Sequence, residues 1–203
     1  MNSIYKYGFY AFIIISFSLF NMWNISRTRS KEELKVEKEK NEKRISSLLQ
    51  SNIVLRRNIH EVTGYEPINA KNFSIIKQDS SYLIALLSDF DCSKCQENEL
   101  LKLQKIKPQL ETKGIKVVCI TTKNKVNQIY SQMKFLKLNI PLYYVDDNIL
   151  REQLSFDEKC PQVLLVEKGI VVSAFKPVTK DFQFSELFYE RLLKKLQNTD
   201  GGQ

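Results

Sequence analysis

The pattern of apolar and polar residues begins with a long apolar run near the amino terminus. "GFYAFIIISFSLFNMWNI" covers residues 8–25 and contains no charged side chain. As a helix it would be about 27 Å long, close to the thickness of the hydrocarbon core of a bilayer. A cleaved signal peptide is the alternative, but no small-x-small cleavage site follows the run. The pattern therefore predicts that residues 1–25 form an uncleaved membrane anchor.

Residues 26–62 contain neither proline nor glycine and are rich in lysine and glutamate, which predicts a charged helical stalk. Its second half carries apolar residues spaced three and four apart, with one asparagine in the series: Ile45, Leu48, Asn52, Leu55, Ile59 and Val62. This is the a/d pattern of a short coiled coil, which would allow a parallel homodimer. The seam is shorter than three heptads, so a single helix packing on the following domain remains the alternative.

The region 68–197 alternates between β-type and helical patterns. Residues 80–88 and 114–121 are apolar runs typical of strands buried on both faces, while 93–112 and 123–138 have helical spacing. Pro108 should kink or end the first of these helices. A strand beginning at residue 140, a hairpin over 160–176 and an amphipathic helix over 184–197 complete the domain. The order predicts an α/β domain with a mixed sheet, and residues 198–203 a disordered tail.

Composition narrows the class of protein. The chain of 203 residues has a formal net charge of +8, but its lysines are spread along the sequence among glutamates. Because no compact basic patch with stacking aromatics is present, we expect no nucleic-acid partner. Four cysteines are too few to form a disulfide-rich scaffold, so a hydrophobic core must hold the fold.

The chemistry is concentrated in "DFDCSKC", where Cys92 and Cys95 follow a buried strand and open a helix. A thiolate at a helix start is stabilised by free N–H groups, and Lys94 adds a nearby cation. A zinc site would need a second Cys or His pair, which the sequence lacks. Two inert thiols are the remaining alternative, although Ser93 and Lys94 between them favour exposure. The spacing favours a redox pair in which Cys92 attacks a disulfide and Cys95 resolves the mixed disulfide.

The strand "YLIALLS", the segment "DFDCSKC" and the distant "KCPQVLLVEKGIVV" together resemble the thioredoxin-like superfamily. The stretch 140–177, with an aspartate-containing turn, a short helix, a proline and a hairpin, is similar to membrane-anchored thiol-disulfide oxidoreductases of the TlpA/ResA group. The resemblance implies a thioredoxin-like mixed sheet flanked by helices. It also implies that Cys92 is the nucleophile, Cys95 the resolving thiol, and Pro161 a cis-proline that offers a backbone edge to substrate.

The chain departs from that family at several positions. Asp91 replaces the aromatic residue that often precedes the first cysteine, and Leu86 falls where many members carry a buried acid. Cys160 precedes the predicted cis-proline, where it could act as a third redox thiol, bind a metal with the pair, or simply pack as a small apolar residue. Asp89 replaces the threonine of a peroxiredoxin site, so we set that activity aside.

Two further side chains receive no chemical role. Cys119 lies in the middle of a predicted buried strand and is expected in the core. His60 is the only histidine and is expected near a helix end, where the helix dipole favours its charge.

The sequence thus predicts a membrane-anchored thiol-disulfide oxidoreductase that acts on protein thiols and disulfides without a cofactor. The resemblance implies a periplasmic or extracytoplasmic redox domain. Arg27, Arg29 and Lys31 after the apolar run favour the opposite orientation. The alternative function is a membrane-tethered binding module that holds a thiophilic metal through Cys92, Cys95 and Cys160.

Overall fold

The computed structural model describes residues 3–88, 93–154, 156 and 161–198, and within these ranges the side chains of residues 3–14, 93 and 198 lie outside the description. The chain divides into two compact units, Met1–Lys43 and Arg44–Gln203. The second unit therefore begins well before residue 68, where the sequence pattern placed the start of the globular domain. The predicted tail falls almost entirely on residues 199–203, which lie outside the described part of the chain.

The first helix, α1 (Ser3–Val54), covers the predicted anchor and most of the predicted stalk. Among the described residues, no helix has an apolar stretch of the length and hydropathy that crossing a membrane requires. The predicted span 8–25 is therefore not supported by the described part of the chain. Residues 8–14 of that span belong to the segment whose side chains lie outside the description.

The predicted end of the stalk at residue 62 is wrong, because α1 ends at Val54. Arg56 has a positive φ of 64°, which stops the helix. The backbone N–H of Arg56 then donates to the carbonyl of Val171 (2.8 Å), and that of Ile59 donates to the carbonyl of Gly169 (2.6 Å). Two positions of the predicted seam, Ile59 and Val62, are buried in the core of the domain itself. The seam is not a continuous helical face, and pairing of two stalks stays a prediction.

In the described part of the chain, seven strands form one mixed sheet in the order β2-β1-β5-β4-β3-β6-β7. Their bounds are β1 (Val62–Tyr65), β2 (Asn72–Ile76), β3 (Ser81–Leu86), β4 (Ile115–Thr122), β5 (Leu142–Val145), β6 (Gln162–Glu167) and β7 (Ile170–Phe175). The neighbours β3, β4 and β5 are parallel, whereas β6 is antiparallel to β3. The sequence did not predict β1 or β2.

Helices cover both faces of the sheet. On one face α2 (Ser93–Glu111), α3 (Val126–Phe135) and α4 (Phe182–Asn198) contribute to one apolar cluster. On the other face, the end of α1 and a short π-helical turn (Ile149–Gln153) contribute to a second cluster. Strands buried on both faces explain the long apolar runs of β3 and β4.

Two local predictions can be compared directly with the structure. Lys168 and Gly169 both have positive φ, which is the geometry that a two-residue hairpin turn requires, and they join β6 to β7 as predicted. Pro108 does not end α2, which continues to Glu111. Pro108 lies in the last turn of α2. Because proline has no backbone N–H, the helix loses one hydrogen bond there, close to its end.

The last part of α1 is fixed to the segment that precedes α4. Arg44 donates to both carboxylate oxygens of Asp181, from Nε at 2.6 Å and from Nη2 at 3.1 Å. Asp181 Oδ1 also accepts from the backbone N–H of Phe184 (3.3 Å), which makes it the N-cap of α4. Ser47 donates from its hydroxyl to the carbonyl of Lys176. This part of α1 is an integral element of the second unit.

Candidate active site

The candidate site lies at the carboxyl end of β3, where the chain leaves the sheet for α2. The backbone N–H of Leu87 donates to the carbonyl of Ile120, and the hydroxyl of Thr121 donates to the carbonyl of Leu87, both at 2.9 Å. Ser88 is also buried. The strand end is therefore held firmly by β4 up to the last described residue before α2.

Cys95 lies in the first turn of α2, is only 6% exposed and is disulfide-bonded. Its partner lies outside the described residues. Lys94 is exposed beside it. Cys92, the predicted nucleophile, immediately precedes the first residues of α2 in sequence and also lies outside the described residues.

Pro161 is brought to the same end of the sheet by the antiparallel pairing of β3 with β6. Leu86 is opposite Gln162, so the buried Pro161 that precedes Gln162 reaches the level at which β3 ends. Cys160 lies outside the described residues, and the predicted cis bond that joins it to Pro161 stays a prediction. Two of the predicted site residues, Cys95 in the first turn of α2 and Pro161 before β6, thus lie towards the same end of the sheet.

Sequence reasoning missed a buried carboxylate, Glu99, four residues after Cys95 on α2. Glu99 is 2% exposed, and its Oε2 accepts from the Tyr189 hydroxyl of α4 at 2.8 Å. Ser185, also on α4, hydrogen-bonds the same carboxylate, and Lys102 Nζ lies 3.9 Å from its Oε1. Burial raises the pKa of Glu99, and the three polar neighbours only partly oppose this. Its position next to the apolar stripe of α2 was the one available signal.

The opposite flank of α2 faces α3. Gln96 is buried, and its Nε2 donates to Oε1 of Gln132 on α3 at 2.6 Å. The Oε1 atom of Gln96 is buried without a hydrogen-bond partner in the described part of the molecule. The first two turns of α2 are therefore fixed on two sides, by α3 through Gln96 and by α4 through Glu99.

The remaining candidate residues carry no visible chemistry. Cys119 is a free, fully buried thiol, and burial raises its pKa to about 12. This agrees with its expected place in the core. His60 lies in the loop after α1 and is exposed. Within residues 3–88, 93–154, 156 and 161–198, no group of three or more Cys, His, Asp or Glu side chains could hold a metal ion.

The parallel unit β3–α2–β4, the antiparallel pair β6–β7 and the final helix α4 around a disulfide-bonded cysteine define the class of fold. It is the thioredoxin-like fold, as the sequence predicted. No family model and no curated protein sequence matches the chain.

Solved structures match it at low sequence identity. A thiol:disulfide interchange protein of the thioredoxin family from Chlorobium tepidum is 16% identical, with a TM-score of 0.51 over 70% of this chain and 96% of that one. The thioredoxin domain of a thiol-disulfide oxidoreductase from Bacteroides vulgatus is 14% identical, with a TM-score of 0.51 over 68% and 97%. Peroxiredoxin Q from Xanthomonas campestris is 12% identical, with a TM-score of 0.53 over 68% and 90%. The likeness shows the fold, which oxidoreductases and a peroxiredoxin share.

Proposed function

We propose that this protein is a thiol-disulfide oxidoreductase that exchanges a Cys92–Cys95 dithiol and disulfide with partner proteins. The observation that carries the proposal is the disulfide at Cys95 in the first turn of α2, the helix that follows β3, the strand paired with β6. Cys119 is a free thiol, so Cys92 and Cys160 are the candidates for the partner sulfur. The spacing Cys-x-x-Cys favours Cys92, because only two residues separate the two cysteines in the sequence.

The proposed reaction has two balanced steps. The thiolate of Cys92 attacks one sulfur of a substrate disulfide, which forms a mixed disulfide and releases the first substrate thiol. Cys95 then loses its proton and attacks the Cys92 sulfur, which closes the Cys92–Cys95 disulfide and releases the second substrate thiol. The substrate gains two electrons and two protons, and the pair is oxidised. In this scheme the free N–H groups at the start of α2 stabilise the Cys92 thiolate.

Site-directed variants test the exchange chemistry directly. We expect Cys92→Ser to abolish disulfide reductase activity, and Cys95→Ser to trap mixed disulfides with partner proteins that a non-reducing gel reveals. Cys119→Ala is the matched control, since it removes a buried thiol from the core and should retain turnover. Unchanged turnover in Cys92→Ser protein would rule out the proposed enzyme.

The metal-binding alternative can be tested on the same preparations. A resident metal would need the thiolates of Cys92, Cys95 and Cys160, and a cysteine already in a disulfide cannot supply a thiolate. Reduction opens that disulfide and makes the thiolates available, so anaerobically purified, reduced protein is the stringent test, and the oxidoreductase proposal expects it to contain no stoichiometric copper or zinc. One equivalent of either metal, lost in Cys95→Ser protein, would favour the binding module over the oxidoreductase.

We also propose that α1 holds the redox domain at a membrane, with the domain in an extracytoplasmic compartment. Support for the membrane comes from the uncharged sequence 8–25 and from the large apolar side chains of α1 at residues 15–25, which are 55–69% exposed, whereas the compartment rests on the family resemblance. Apolar side chains on all sides of a helix are unfavourable in water and favourable in lipid. Cysteine-substitution labelling at residues 31–45 in intact cells tests the orientation. Labelling only after lysis would place the domain in the cytoplasm.

A further inference from the structure

The buried acid Glu99 lies on the same helix as Cys95, one turn after it. The first turns of α2 have two buried flanks: Gln96 faces α3, whereas Glu99 faces α4. Cys95 precedes Glu99 by four residues, so both residues occupy the α4 flank. Side chains four apart on a helix are neighbours, with Cβ atoms about 5–6 Å apart.

The spacing and burial of Glu99 and Cys95 favour an interaction between the two side chains. The Glu99 carboxylate is held by Tyr189 and Ser185 of α4 and lies 3.9 Å from Lys102 Nζ. Both side chains are nearly excluded from water, at 2% and 6% exposure. Among the described residues, Glu99 is a buried carboxylate on the same flank and is therefore a candidate acceptor for the proton that leaves the Cys95 thiol.

We propose that Glu99 accepts the proton of the Cys95 thiol when Cys95 attacks the mixed disulfide, and returns it when the disulfide is reduced. The inference rests on the proposed function and extends it to the acid–base step. It also accounts for an absence noted in the sequence: the family's buried acid on the preceding strand is replaced here by Leu86, and Glu99 on α2 would take over its role.

The proposed step balances in atoms and charge. The S–H bond of Cys95 breaks as the O–H bond of Glu99 forms, the Cys95 sulfur bonds to the Cys92 sulfur, and the Cys92–substrate S–S bond breaks. The substrate leaves as a thiolate and takes its proton from solvent. In the reverse direction, protonated Glu99 supplies the proton that Cys95 needs as its sulfur is released.

The groups around Glu99 suit this role. On its own helix Lys102 favours the ionised carboxylate, and on α4 Tyr189 and Ser185 donate hydrogen bonds to it. Tyr189 remains a neutral donor, because burial, Glu99 and Cys119 of β4 raise its pKa well above the ordinary value. Burial dominates at Glu99 and raises its pKa. A raised pKa brings a carboxyl group closer to neutral pH, where proton transfer to and from it is most effective.

A two-phase thiol assay isolates the proposed step. The full-length reduced protein, carrying Cys160→Ser to leave two reactive thiols, is mixed with an aromatic disulfide that releases a coloured thiolate. The first release reports attack by Cys92, and the second reports attack by Cys95 on the mixed disulfide. Both rates are measured between about pH 5 and about pH 9. The variants are Glu99→Gln and, as the matched control on the same helix, Glu97→Gln.

We expect Glu99→Gln to slow the second release about 10-fold or more near neutral pH, and to leave the first release unchanged. The difference should shrink at the alkaline end, where hydroxide removes the thiol proton. Glu97→Gln should behave as the parent protein. A second release that Glu99→Gln leaves unchanged, or slows equally at every pH, would overturn the proposal, since the latter indicates a purely structural role.

A second measurement avoids any dependence on the folding of the variant. Infrared difference spectra of the parent protein, reduced minus oxidised, should contain a carboxyl band that reports a change in the protonation of Glu99. A spectrum without such a change would also overturn the proposal. If instead Cys92→Ser retains both thiolate releases, the redox pair itself is absent, and the proposed function fails together with this inference.

Discussion

The carboxylate of Asp181 supports two elements at once, and its removal should be costly. It is 3% exposed, receives two hydrogen bonds from Arg44, and caps α4 through the N–H of Phe184. Replacement by alanine removes an N-cap, which costs about 1 kcal/mol. It also removes the carboxylate from a largely buried ion pair, a change that costs about 3–5 kcal/mol when the remaining charge is fully enclosed.

Arg44 is 21% exposed, so water can partly solvate its guanidinium once the carboxylate is gone. The two contributions also share one side chain and do not add fully. We therefore expect Asp181→Ala to lower the free energy of unfolding by about 3–4 kcal/mol. Asp181→Asn keeps an oxygen for the N–H of Phe184 and should cost about half as much, because asparagine is as good an N-cap as aspartate.

Urea unfolding of the full chain in detergent, followed by the near-ultraviolet circular dichroism of its tyrosines, measures the effect. With a slope of about 2 kcal/mol per molar urea, the midpoint for Asp181→Ala should fall by about 1.5–2 M. Glu33→Gln is the control, since the Arg29–Glu33 pair is 79% and 70% exposed and should contribute less than about 0.5 kcal/mol. An Asp181→Ala midpoint no lower than that of Glu33→Gln would refute the reasoning.

Two further changes test the sheet and the buried acid. Gly64→Ala should cost about 1–3 kcal/mol, because the new Cβ would lie 2.8 Å from the carbonyl oxygen of Tyr144; an unchanged melting temperature would contradict this. The pKa of Glu99 is raised above its usual 4.5, so the folded state binds this proton more tightly than the unfolded state does. Stability should therefore fall as pH rises from about 4.5 to the folded pKa, and Glu99→Gln should flatten that part of the profile. Equal pH slopes in both proteins would contradict the assignment.

The sequence predicts two kinds of element well: strands that are buried along their whole length, and turns that a short local motif specifies. The runs that became β3 and β4 are apolar because both sheet faces are covered, and Lys168-Gly169 is a local turn signal. Strand β1 was missed because its first buried residue, Val62, also continued the helical spacing of the stalk. A segment this short fits both the helical and the strand periodicity of apolar residues. Only its tertiary pairing with β2 and β5 makes it a strand.

The sequence predicts those residues of the candidate site that belong to local motifs, but not the residue whose burial depends on long-range packing. Cys95 and Pro161 stand in recognisable local patterns at the ends of a strand and a helix. Glu99 looks like an ordinary exposed helix charge, since its burial depends on Tyr189, which is 90 residues away in sequence. Long-range packing of α4 on α2 buries Glu99, and within the α2 segment only its position next to the apolar stripe indicates that contact.

Cys119 offers an internal probe of unfolding. Its sulfur is enclosed by the core and its pKa is raised to about 12, so alkylating reagents should not modify it while the domain is folded. Once the sheet opens, the same thiol becomes an ordinary reactive one. Pulsed alkylation followed by mass spectrometry of the peptide that contains Cys119 would thus count unfolded molecules in a living cell without an engineered reporter.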